Sequence, residues 1–243
     1  MWANCWADVY SHSYGGTARA FMKDVVESSF AALQKRREEL TADPLDIGAQ
    51  FQLADLDVLR RDTGLAFCLA IQSIWERQLR QYIKGCAREL PPLEAQATVK
   101  KATSNSWEDV EKAFLTTRGV TLKSLPFYEE LTLLHRLGSV ARHGEGKSFI
   151  WLWEHYPEFW PTRHGEDQQR AMEAAFPEFG SAEFKPTMHE INVSLAWLRR
   201  FSSAIEGFWD EIQYIYNENI QDKGPQLESL LVLQRAERAG RSE

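Results

Sequence analysis

The chain has 243 residues, enough to bury a sizeable core without disulfide or metal staples. Its 28 Lys and Arg against 35 Asp and Glu give a net charge of −7, which argues against a general nucleic-acid coating protein and confines any RNA or DNA contact to a local basic site. Only 14 Gly and 9 Pro beside 26% charged residues favour helices and exclude collagen, coiled-coil rod, secreted-knot and porin architectures.

The longest uninterrupted apolar run, Leu65 to Ile71, falls far short of the ~20 residues that a transmembrane helix needs, so no membrane contact is expected. The first ten residues lack the basic region of a signal peptide, which leads to the expectation of a cytoplasmic protein. Cys5, Cys68 and Cys86 form an odd, unclustered set, read as buried thiols in a reducing compartment rather than a disulfide frame or a zinc site.

Residues 1–16 are aromatic and irregular, with Gly15-Gly16 as a flexible end, and no element is assigned to them. A helical domain is expected over 17–220, followed by a charged tail over 221–243. From Thr17 to Leu40 the chain is free of Gly and Pro, and Phe21, Val25, Ser28 or Ser29, and Ala32 recur at helical steps; this helix should end before Asp43-Pro44. A second, long helix is predicted from about Leu53 to Cys86, with Cys68, Ile71, Trp75, Leu79 and Tyr82 as one buried stripe. Gly85 and Pro91-Pro92 should stop it. Ser106-Trp107-Glu108-Asp109 resembles a capping box that opens a short third helix.

The fourth helix should start near Pro126 and run to His143, with Phe127, Leu131, Leu134 and Ala141 buried and Gly144 as its C-terminal cap. A long aromatic connection, the flap 144–187, follows with Phe149, Trp151, Trp153, Tyr156, Phe159 and Trp160, and reads as the least helical region. Its rings could stack unpaired bases, although capping a core is the commoner use of such residues. A final helix is expected from Met188 to Asn217, and Leu227, Leu230 and Leu231 mark a detached helix in the tail.

The segment from Glu130 to Gly146 carries the chemistry. Arg136 and His143 are seven residues apart, hence ~20° from each other around a helix and ~10 Å apart along its axis. Arg offers a permanently charged planar fork to phosphate oxygens. A His can move a proton on and off a hydroxyl near neutral pH. Ser139 and Arg142 share this edge. A solvated helix face whose C-terminal cations complement the helix dipole is the plainer alternative.

An Arg, four to six further residues and a His at the end of an apolar helix, followed by Gly, resembles the signature of HEPN-domain proteins. The segment Cys68 to Ile83 is similar to an earlier long helix of that family. The resemblance covers roughly Leu53 to His143 and the last long helix, and implies an all-α, HEPN-like helical bundle. It also implies a metal-independent endoribonuclease of a toxin–antitoxin or antiviral defence system, needing no cofactor and acting on single-stranded RNA. Arg136 and His143 would be the catalytic pair, with Glu76 on the earlier helix as an orienter; an ordinary Glu76–Arg80 pair at i, i+4 is the alternative. Arg142 and Lys147 would add positive potential. The family further implies a homodimer with two such pairs across a symmetric cleft, and an antitoxin or defence-system partner protein.

Two other readings stay open. One is a non-catalytic HEPN-type protein-interaction or RNA-binding module. The other is a nucleotide-binding loop, since Ala141-Arg-His-Gly-Glu-Gly146-Lys147-Ser148 has the register of a phosphate loop with Ala for the first Gly. That loop requires a buried strand before it and a helix directly after it, and neither is expected here. His155, His164 and His189 are too scattered to suggest a metal, and no Gly-x-Ser-x-Gly, His-Glu-x-x-His or Cys-x-x-Cys spacing occurs.

Overall fold

Helix dominates the computed structural model, which describes residues 2–42, 47–160 and 187–240, and no strand occurs among those residues. The α-helices are α1 Trp6–Tyr10, α2 Tyr14–Phe21, α3 Ser28–Thr41, α4 Ile47–Cys86, α5 Pro92–Ala102, α6 Trp107–Arg118, α7 Tyr128–His143, α8 Lys147–His155, α9 Leu195–Glu218 and α10 Pro225–Ala239. The all-α class expected from the periodicity therefore holds. The chain divides into two compact units. One comprises 1–20, 74–131 and 202–243, and the other 21–73 and 132–201.

The first unit is built around aromatic rings and one buried ion pair. Trp75 and Trp107 lie 5.3 Å apart, and Trp209 meets Tyr82 at 5.5 Å and Tyr14 at 4.8 Å, in the edge and tilted arrangements that ring quadrupoles favour. Gln78 accepts from Trp209 Nε1 at 3.1 Å and donates to the Tyr14 carbonyl at 3.0 Å, which satisfies its own buried amide. Asp8 is wholly buried, and its carboxylate accepts from Arg118 Nη2 at 3.2 Å on both oxygens and from the Tyr82 hydroxyl at 2.6 Å. The Arg118 guanidinium also sits 3.8 Å from the Trp2 ring centre. The opening residues expected to be irregular thus form α1 and α2, with these long-range contacts added to a local one, the Cys5 N–H donating to Asp8 at 2.8 Å.

The capping box expected at Ser106 is not formed, and Ser104, two residues upstream, makes the contacts at this helix start instead. Ser106 flanks α6 without a side-chain cap, while the Ser104 hydroxyl donates to Asp109 at 2.7 Å and accepts from the Ser106 N–H at 3.1 Å. Helix α5 was not anticipated: Pro92 suits its first turn, but Leu93 is exposed and only Thr98 and Ala102 are buried, so no apolar stripe announced it. The tail is not a detached helix. In α10, Leu231 is buried, Arg235 pairs with Glu218 at 2.6 Å, and Arg238 bonds Glu211 at 2.7 Å while lying 3.6 Å from the Tyr214 ring centre.

The Arg235 hydrogen bond, helped by the Tyr214 hydroxyl, holds the Glu218 carboxyl down at about 2. A carboxyl depressed in the folded state adds stability above its unfolded value and loses it as the pH falls through the folded one. Amide exchange in α10 should therefore match between wild type and Glu218→Gln near pH 2 and be slower in wild type above about pH 4.5. The difference should shrink in high salt because the pair is accessible to solvent.

In the second unit, the helix expected over 17–40 carries a π-helical stretch, Met22–Glu27, ahead of α3. From residue 21 onward its buried residues are Met22, Val26 and Phe30, not Val25 and Ala32. Steps of four overshoot a 3.6-residue turn, and the wider π turn absorbs the excess. Its end near Asp43-Pro44 lies outside the described residues. The α4 stripe is as predicted, with Cys68, Ile71, Trp75, Leu79 and Tyr82 all buried, although the helix begins at Ile47 rather than Leu53. The fourth helix starts at Tyr128, since Phe127 has φ +67°, a strained value for a bulky residue, and Pro126 lies before it. Residues 147–155, read as part of the least helical region, form α8 with Phe149 and Leu152 buried. The last helix begins at Leu195, after a 3₁₀ turn at Met188–Glu190.

Candidate functional site

Helix α7 buries Leu133, Leu134, Leu137 and Val140, which turns its polar edge outward. Gly144 ends it as expected: at φ +71° it occupies the left-handed region that glycine enters without penalty, and its N–H bonds the Val140 carbonyl at 2.8 Å. The cap leaves His143 exposed as the last residue of the helix.

Arg136 is partly buried and its guanidinium carbon lies 4.2 Å from the centre of the Trp151 ring on α8. Its Nε is buried and has no hydrogen-bond partner among the described residues. Trp151 in turn stacks on His155 at 4.6 Å. The ring fixes the plane of the guanidinium by cation–π attraction.

Arg142 is tethered, donating from Nε to the Gly138 carbonyl at 3.2 Å and from Nη2 to Gln72 Oε1 at 3.3 Å. Gln72 is a fully buried polar residue of α4. It comes so near α7 that a Cβ on Gly138 would lie 2.9 Å from its Cγ. Ser139 is partly buried on α7, and Lys147 is exposed in the first turn of α8. Arg136, Arg142 and Lys147 against Glu145 leave +2 over residues 136–147, with His neutral. The Glu145 carboxylate accepts from the Met188 N–H at 3.1 Å.

Glu76 belongs to the other unit and accepts from Arg80 Nε at 2.9 Å and Nη2 at 2.7 Å. Arg80 also donates to the Ala102 and Ser104 carbonyls at 2.7 and 2.8 Å, so the pair secures the end of α5. This is the i, i+4 pairing that the sequence offered as the plainer reading of Glu76.

The phosphate-loop register finds half its context. Gly146 directly precedes α8, contrary to expectation, but α7 stands where a buried strand is required. Of the aromatic flap, Phe149, Phe159 and Trp160 are buried, and Trp160 meets Phe149 at 5.4 Å and Trp153 at 5.2 Å, which is core-capping rather than an open stacking platform. The rest of the flap, 161–186 with His164, lies outside the described residues.

No protein-family model matches the chain, and no curated protein or solved structure matches it. Sequence reasoning missed Trp151 as the support of Arg136 and Gln72 as the partner of Arg142. A Gln inside the apolar stripe of α4, and a Gly inside an otherwise strong helix, were the available signals for the second contact.

Proposed function

We propose that the protein is a metal-independent endoribonuclease that cleaves single-stranded RNA through the ribose 2′-OH, in the manner implied by its resemblance to HEPN proteins. The observation that carries this reading is the cationic edge of α7, where Arg136 is oriented by Trp151 and His143 stands exposed at the helix end. The imidazole would take the proton from the 2′-OH or return one to the leaving 5′-oxygen. The guanidinium would offset charge that develops on the phosphate. Arg142 and Lys147 would draw in the backbone, and Ser139 could bond a phosphate oxygen. No cofactor takes part in this scheme.

A strand needs more than one Arg and one His to line its path, which supports a homodimer with two such edges around one cleft. An antitoxin or defence-system protein would be a further partner, and the cytoplasm the compartment. The test of the chemistry is a single-stranded RNA and the DNA of the same sequence incubated in excess EDTA. RNA should be cut and DNA left intact, because DNA lacks the attacking hydroxyl; cleavage that EDTA abolishes contradicts the scheme. Light scattering should give twice the 28.0 kDa chain mass, and a value of one chain removes the dimer.

One observation favours the second reading, a non-catalytic RNA-binding or protein-interaction module: Arg136 already spends its planar face on Trp151. RNA that binds and is released uncut would select it.

A further inference from the structure

Two cysteines that the sequence separates by 81 positions meet in the first unit, where Cys5 Sγ and Cys86 Sγ lie 3.4 Å apart. This corrects the expectation of unclustered thiols. Arg118 Nη1 is 3.4 Å from each sulfur, while its Nη2 holds Asp8. The two thiols differ in access. Cys86, the last residue of α4, is buried, whereas Cys5 is half-buried and lines a surface pocket with Asn4, Trp6, Val9, Glu89 and Tyr216.

They also differ in acidity. The hydrogen bond with Cys86 draws the Cys5 thiol down to about 7, with Arg118 assisting and burial and Asp8 opposing. The same contact, with burial, pushes Cys86 far up, so it keeps its proton. Cys68 is fully buried and burial pushes it up as well. An accessible thiolate beside a cation, with a second thiol in reach, is the arrangement that redox-sensing cysteines require.

We propose that Cys5 and Cys86 form a peroxide-responsive dithiol, in which Cys5 reacts with a hydroperoxide that enters through the pocket and Cys86 closes a disulfide that pins the N-terminal segment to the end of α4. In the first step the Cys5 thiolate attacks a hydroperoxide; the S–O bond forms, the O–O bond breaks, and the departing alkoxide or hydroxide takes a proton from water. In the second, Cys86 attacks the Cys5 sulfenic sulfur; the S–S bond forms, the S–O bond breaks, and hydroxide leaves with the Cys86 proton as water. The sulfurs must close from 3.4 Å to the ~2.05 Å of a disulfide. A small-molecule dithiol reverses the change by two exchange steps and is itself oxidised.

The full chain treated with hydrogen peroxide, quenched by alkylation and mapped by mass spectrometry should show a Cys5–Cys86 linked peptide, reversible by dithiothreitol, with Cys68 left as a thiol. Thiol loss at pH 7 should run roughly tenfold faster in the folded chain than in urea. In Cys86→Ser, dimedone should label Cys5, and in Cys5→Ser the rapid phase should vanish. Wild-type chain that keeps all three thiols, an equal rate in urea, or dimedone on Cys86 rather than Cys5 overturns the proposal. The wild-type measurements decide it even where a variant folds poorly.

Discussion

Replacing His143 by alanine is expected to slow RNA cleavage by on the order of 10²-fold or more, because a positioned acid or base contributes about that much to proton transfer. Helix α7 should be undisturbed by the change, since His143 is exposed at its end and Gly144 supplies the cap. Arg136→Ala should cost a similar factor in kcat through lost charge stabilisation, and also some packing on Trp151. Lys147→Ala should weaken RNA binding only slightly. A phosphate loop would reverse that order and make Lys147 the most damaging site of the three. Single-turnover rates for the three variants separate the two orders.

Asp8→Ala is expected to destabilise the fold by about 3–5 kcal/mol, because it strands the Arg118 charge in the interior. Arg118 is 1% exposed and Asp8 is 0% exposed, so water cannot take over the lost interaction. The Tyr82 hydroxyl loses its acceptor in the same variant. Asp8→Ala combined with Arg118→Met should recover a substantial part of the loss, since an apolar pair of similar volume leaves no buried charge. Urea denaturation midpoints measure both. A single variant within ~0.5 kcal/mol of wild type would show that the pair is solvated in solution.

Both results bear on what could be read in advance. The long helices were legible because each buries one stripe: Cys68 to Tyr82 on α4, and Leu198, Ile205, Trp209 and Ile212 on α9. Elements defined by contacts distant in sequence were not. Helix α1 depends on Asp8 meeting Arg118, which is 110 residues away, and α10 on Arg235 meeting Glu218. Helix α8 was hidden by composition, because aromatic residues have only middling helix propensity and the burial of Phe149 and Leu152 decides for the helix.

At the site, residue types and spacing pointed to the outward edge of α7 and to the Gly144 cap. They could not show that Trp151 lies against Arg136, or that Gln72 accepts from Arg142. Cys5 and Cys86 were beyond reach for the same reason: nothing local in either segment encodes a meeting across 81 positions.

We propose that this chain cuts RNA with its own side chains through the 2′-OH. The most direct measurement incubates wild type and His143→Ala with one single-stranded RNA in excess EDTA and maps the product ends. Wild type should yield 2′,3′-cyclic phosphate ends and the variant almost none. Equal cleavage by the two proteins, or no cleavage by wild type across several RNAs, contradicts it.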